Sequence, residues 1–128
     1  MSCGIDSERI RRFRRRKYNY SDFMPFVFTK RELSHCEKFL DPARALCASF
    51  CIKEGLFKAL GKPYNFTDCE FFPNISVTGG RLCVSQRLLD KRGTMRPAAM
   101  LFDAAPGHIT AIVYLMKQPS STPIRGSR

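Results

Sequence analysis

Glu54 and Lys58 stand four residues apart inside residues 50–59, which read Phe-Cys-Ile-Lys-Glu-Gly-Leu-Phe-Lys-Ala. On a helix, residues four apart share a face. A carboxylate able to hold Mg²⁺ beside an ammonium able to hold a phosphate oxygen is a pair suited to phosphoryl transfer. On the helix alone, the same two residues also read as an exposed ion pair worth about 0.3–0.5 kcal/mol. A second acid, Asp6, ends the segment Cys3-Gly4-Ile5-Asp6. It closes a short expected strand, and its position also suits an N-cap for a following helix.

The elements around these residues follow from turn and cap signals. Asp41-Pro42 opens a long helix, with an acid at the N-cap and proline in the first turn, where a missing N–H is harmless. Leu46, Phe50, Phe57 and Leu60 recur along it, with other apolar residues around the cylinder, so the helix is expected to be central. Gly61 and Pro63 stop it. Seven basic residues fall within positions 9–17, interrupted only by Ile10 and Phe13. That spacing suits a helix over 7–17 with a thin apolar seam. Thr29-Lys30-Arg31-Glu32 has the capping-box pattern and predicts a short helix.

Residues 68–72 read as a strand. Segments 75–78 and 81–85 flank Gly79-Gly80 as a two-residue hairpin. Residues 86–92 are expected to form a short helix, and 109–116 a buried strand. The reading is an α+β domain over residues 1–117, one long helix against an antiparallel sheet, followed by a disordered tail at 118–128.

Bulk composition narrows the partners. A chain of 128 residues supports one domain, and its net charge of +11 calls for an acidic partner. The six cysteines lack the two-residue spacing of a zinc knuckle, and no secretory signal is apparent. They are expected to be reduced and mostly buried, in a cytoplasmic protein. No run of about 18 apolar residues suggests a membrane span.

Gly4-Ile5-Asp6, then Phe28-Thr29-Lys30-Arg31-Glu32-Leu33, then Phe50 through Gly61, then Asn65-Phe66-Thr67-Asp68-Cys69-Glu70-Phe71 form an ordered set. Over roughly residues 3–116 this set resembles the holo-acyl-carrier-protein synthases. These enzymes transfer 4′-phosphopantetheine from coenzyme A to a serine of acyl carrier protein and release 3′,5′-ADP. The resemblance implies their fold, with Asp6 and Glu54 as the magnesium-binding carboxylates and Lys58 as the lysine contacting the transferred phosphate. Catalysis would then fall to Asp6, Glu54 and Lys58, and coenzyme A contacts to Lys58, Lys62 and Lys53. For Lys53, a solvated surface position is the alternative. Arg9, Arg12, Arg15 and Arg16 would face the acidic carrier protein, where complementary charge speeds encounter and fixes orientation. A homotrimer with active sites between subunits is also implied, with no membrane and no nucleic acid as partner.

The chain departs from the family pattern at two places. Ser49 stands where an arginine is usual, and Ala104 where a histidine is usual, both groups that help hold coenzyme A phosphates. Asp103 would repel those phosphates unless it faces away or joins the metal. His108 lies four residues beyond Ala104, and Lys62, Arg81 and Arg87 are other basic residues available to compensate. Leu82 stands where proline is common. Two other readings remain at this level. One is a weakened relative that binds carrier protein or coenzyme A without turnover. The other is a basic nucleic-acid-binding module that rests on charge alone.

Overall fold

The computed structural model describes residues 2–14, 24–89, 95–103 and 105–117. In chain order these form β1 (Ser2–Arg9), α1 (Lys30–Cys36), α2 (Pro42–Leu60), β2 (Cys69–Pro73), β3 (Gly80–Val84), β4 (Met95–Phe102) and β5 (His108–Lys117), with short 3-10 turns between some of them.

Both helices begin where their caps place them. At α1, the Thr29 hydroxyl accepts from the Glu32 N–H while the Glu32 carboxylate accepts from the Thr29 N–H, a complete capping box. At α2, the Asp41 side chain accepts from the Arg44 N–H and Pro42 occupies the first turn. Gly61 ends α2 in the left-handed region, with φ of 72°, where a Cβ is unfavourable. Ala45, Cys47, Phe50, Ile52, Leu56 and Ala59 are all buried, so α2 is enclosed around most of its circumference.

A three-stranded antiparallel sheet, in the order β1-β5-β4, packs against α2, and β2-β3 forms a separate antiparallel ribbon. Ile109, Ala111, Val113 and Leu115 of β5 are buried, while alternate residues belong to the sheet's other face. β1 and α2 cross at two glycines. A Cβ on Gly4 would stand 2.0 Å from the Gly55 carbonyl oxygen, so only glycine permits this approach. The crossing sets how far Asp6, two residues along β1, lies from the helix.

Several expected elements change. β1 does not stop at Asp6. It continues through Arg9, paired from Ser2↔Leu115 to Arg9↔His108, and a 3-10 turn follows over Ile10–Phe13. Pairing with a strand about a hundred residues away overrides the local helical pattern. Ile10 and Phe13 are still buried as the seam predicted, and residues 15–17 lie outside the described residues.

The two-residue hairpin is replaced by a longer one. β2 pairs with β3 from Cys69↔Val84 to Pro73↔Gly80, so residues 74–79 are the loop. Asn74 closes that loop, its N–H donating to the Gly79 carbonyl and its Oδ1 accepting from the Thr78 N–H. Of the helix expected over 86–92, the described part is a 3-10 turn at Gln86–Leu88. β4, which contains Pro97, had no expected counterpart. β4 sits at the end of the sheet order, where a missing N–H is tolerated. The proposed tail at 118–128 lies outside the described residues. All six cysteines are free thiols.

Candidate active site

Strand periodicity puts Gly4, Asp6 and Glu8 on the face of β1 toward α2, and burial alternates accordingly. α2 brings Phe50, Glu54 and Lys58 to one line, each a turn apart. Where strand and helix meet, the Lys58 ammonium donates to Asp6 Oδ1 at 3.2 Å and to the Ile5 carbonyl at 2.9 Å. Two of its three N–H donors are thereby used inside the chain. Asp6 is 8% exposed, yet its Oδ2 is buried with no hydrogen-bond partner among the described residues. An unpaired buried carboxylate oxygen is costly unless something absent from the polypeptide completes it.

The field around Asp6 is strongly acidic. Burial raises the Glu54 carboxyl above its ordinary pKa and the Asp6 charge pushes it further, while Lys58 and Arg12 pull it back. Glu8 is likewise raised, by burial first and also by Asp6, against the hydrogen bond from Arg12. Arg12 donates to Glu8 Oε1 at 2.7 Å, and its guanidinium lies 5.0 Å from the Phe50 ring centroid, one turn before Glu54. Three carboxylates, Asp6, Glu8 and Glu54, thus stand between a lysine on one side and an arginine on the other.

Glu8 was not among the expected site residues. Its signal was the Asp-x-Glu spacing, which places both acids on one strand face once β1 is known to continue past Asp6.

The donor set suits a hard divalent cation. Mg²⁺ prefers oxygen ligands, takes one or two carboxylates and keeps further positions for water or phosphate. Asp6 Oδ2 is an unused oxygen of that kind, and Glu54 shares its field. Among the described residues, no three His, Cys, Asp or Glu side chains are arranged to hold a metal by themselves.

Other expected site residues lie elsewhere. Lys53 is not a ligand contact. It points from α2 into the core with no exposure, 2.9 Å from Glu32 Oε1 and bonded to the carbonyls of Phe66 and Cys69. Helix rotation puts it about 100° from Glu54, which explains the different fate of adjacent residues. Lys62 is exposed beyond Gly61, and no contact among the described residues joins it to the cluster. Arg9 is exposed at the end of β1, and Arg15 and Arg16 lie outside the described residues. Arg12 belongs to the cluster itself rather than to a free basic surface.

The family departures also acquire positions. Ser49 is fully buried and donates to Glu32 Oε2 at 2.8 Å, so its side chain belongs to the core around Glu32. Asp103 is held by Arg44 at 2.7 Å. The Arg87 guanidinium is held by Asp68 at 2.8 Å. The His108 ring nitrogen Nδ1 lies 3.1 Å from the Pro106 carbonyl. Residue 104 lies outside the described residues.

Comparison with known proteins gives a consistent result. The family model described as the 4′-phosphopantetheinyl transferase superfamily matches residues 2–99. A holo-[acyl-carrier-protein] synthase of Finegoldia magna is 40% identical over 58 residues, covering 45% of this chain and 49% of that protein. The chain thus spans about half the length of that relative. Among solved structures, the holo-[acyl-carrier-protein] synthase of Neisseria meningitidis aligns with a TM-score of 0.74 at 21% identity, over 91% of this chain and 98% of that one. The Helicobacter pylori synthase, solved in complex with coenzyme A, gives 0.71 at 21% identity over 89% and 99%. At such identity these likenesses establish the fold.

Proposed function

The chain belongs to the 4′-phosphopantetheinyl transferase superfamily, and from that premise we propose that it moves 4′-phosphopantetheine from coenzyme A to a serine of an apo acyl carrier protein. The observation behind this reading is the buried Oδ2 of Asp6, unpartnered among the described residues and set beside Glu54 and Lys58 where β1 crosses α2. In the reaction, the serine oxygen bonds to the β-phosphorus of coenzyme A. The pyrophosphate P–O bond breaks and 3′,5′-ADP leaves with the electron pair. The hydroxyl proton passes to water or to a carboxylate of the cluster.

Asp6 and Glu54 would hold Mg²⁺, with Glu8 completing the acidic field. When bound, the ion supplies Lewis-acid neutralisation of the phosphate oxygens. Lys58 orients Asp6 through Oδ1 and turns its remaining donor to a phosphate oxygen, where charge develops during transfer. Arg12, anchored by Glu8 and stacked near Phe50, holds positive charge at the other end of the cluster. Arg9, Arg15 and Arg16 would supply the charge for an acidic carrier.

A self-associated state is part of the proposal. On the sheet face turned away from α2, the register aligns Ile5, Ile112 and Met100 across β1, β5 and β4. Ile5 is 53% and Met100 51% exposed, with Phe102 and Met116 also exposed. An apolar sheet face of this kind suits burial against other copies, in line with a trimer whose sites lie between subunits. Among the described residues, no helix is long and apolar enough to cross a membrane. The six free thiols support a reducing compartment such as the cytoplasm.

The test is incubation of the protein with apo carrier protein, coenzyme A and Mg²⁺, read by mass spectrometry. The expected result is one phosphopantetheine added per carrier, with the rate reduced at least about a hundredfold in Glu54→Gln. Carrier binding without any modification would overturn the transferase reading.

A further inference from the structure

A groove opens between the turn that joins α1 to α2 and the loop that joins β2 to β3. Phe39 and Leu40 line it from the turn, and Pro73, Ile75 and Val77 from the loop, around a volume of about 1020 Å³. It shares no residue with the Asp6 cluster. Pro73 and Val77 are buried and form its deeper part, whereas Leu40 and Ile75 are 107% and 94% exposed. Two fully exposed aliphatic side chains at one concavity are an uncovered apolar surface.

The loop wall is strained and held. Val77 has φ of 55°, in the left-handed region, where a β-branched residue is an outlier. Its N–H donates to the Asn74 carbonyl at 2.9 Å, the Asn74 N–H to the Gly79 carbonyl at 2.8 Å, and the Thr78 N–H to Asn74 Oδ1 at 3.0 Å. Strain kept by such a frame, with the side chain packed into a pocket wall, is a mark of a preformed site. The polar groups of the lining are mostly answered within the chain. Asp41 is paired with Arg14 at 2.8 Å and Arg44 with Asp103 at 2.7 Å. His35 is tethered through Nε2 to the Pro73 carbonyl, and the Ser76 and Thr78 hydroxyls bond each other. The Lys38 ammonium is left without a partner among the described residues. Lys38 also belongs to the adjoining cleft that holds Lys30 and Arg81, so the positive field continues past that end of the groove.

We propose that this groove binds a long-chain fatty carboxylate, its chain along Leu40, Pro73, Ile75 and Val77 and its head group at Lys38. The lining is chiefly aliphatic, and its volume stands at the upper end of small-ligand pockets. Chain burial supplies the affinity through apolar area removed from water. One uncompensated ammonium at one end fixes the orientation by complementary charge. A peptide laid in the groove would turn backbone N–H and C=O groups toward an apolar wall that offers them no partners. A bilayer would call for these side chains on a convex tip, whereas they line a concavity. The inference stands apart from the transferase reading and uses none of its residues.

The test is fluorescence titration of the full chain with cis-parinarate, a polyene fatty acid whose emission rises in an apolar site, kept below its micelle concentration. Saturable binding is expected, and palmitate should displace the probe. The double variant Leu40→Asn/Ile75→Asn, at two positions too exposed to disturb folding, should bind at least about tenfold more weakly. Lys38→Gln should weaken palmitate severalfold and leave hexadecanol unchanged, because only the carboxylate meets the ammonium. Val77→Gly, which suits the left-handed backbone but removes the wall, should also lose severalfold. Lys117→Gln, exposed at the end of β5, should bind as the unchanged protein does. No saturable binding, or equal binding by the double variant, would overturn the site. Displacement of the probe by coenzyme A would overturn it by giving the groove to the transferase substrate. A changed oligomeric state in the double variant would do so by making the groove a contact between copies. Binding to phosphatidylglycerol vesicles that the double variant loses and palmitate does not compete would replace the fatty acid with a membrane. Each of these results is read without carrier protein, so success or failure of carrier modification leaves them unchanged.

Discussion

Lys53 and Glu54 are neighbours on one helix, yet they belong to two polar clusters with opposite character. Lys53 meets Glu32 in the core, where both have zero exposure. Glu32 Oε1 accepts from Lys53 and the Thr29 N–H, and Oε2 from the Ser49 hydroxyl and the Phe71 N–H. Lys53 has two further partners in the Phe66 and Cys69 carbonyls. Every polar atom is answered from within the chain, and α1, α2 and β2 are joined by it. Around Asp6, one turn of side chains away, an oxygen is left over, three acids crowd one field and the lysine is half-exposed. A polar cluster completed by its own chain specifies the fold, whereas one left incomplete marks the place where something else binds.

Removing one member from each cluster should separate these roles. Lys53→Met leaves the Glu32 charge buried without its ammonium, so denaturant unfolding should show a loss of about 3–5 kcal/mol. A loss below about 1 kcal/mol would mean that the core pair is not the structural staple described. High pH probes the same core more gently. Burial raises the thiols of Cys36 and Cys69 from 9.0 to about 12. The folded state therefore keeps protons that the unfolded chain releases, and this contribution is complete below pH 9 and lost as pH rises toward 12. Stability should fall above pH 9 by up to about 1.4 kcal/mol per unit for each thiol, as followed by thermal melts across that range. The smallest effect belongs to the incomplete cluster. Glu54→Gln removes a repelled carboxylate and should change stability by less than about 0.5 kcal/mol without added cation. A large loss there would assign Glu54 to the fold instead.

The sequence disclosed the features encoded locally. Asp41-Pro42, Gly61 and the Thr29–Glu32 box mark helix ends by groups that bond within a turn, and each appears where its residues stand. The Glu54–Lys58 spacing likewise survives, because helix periodicity alone sets it. What stayed hidden depended on distant partners. β1 reaches Arg9 only because β5 pairs along its length, and the basic run from Arg9 looks equally helical without that partner. Glu8 went unnoticed for the same reason. Lys53 was misplaced because α2 is apolar on nearly every side, so no hydrophobic stripe showed which polar residue turned inward. Glu32, which answers it, reads in sequence only as a capping residue; its second oxygen pairs across 39 residues with the Phe71 N–H.

Calorimetric titration of Mn²⁺, as a stand-in for Mg²⁺, into the wild-type chain and Glu54→Gln addresses the incomplete cluster most directly. One cation should bind the wild-type protein, at least tenfold more weakly in Glu54→Gln, with Lys53→Arg unaffected. Failure of the wild-type chain to bind, or equal binding by Glu54→Gln, would contradict the assignment of Asp6 and Glu54 to one ion.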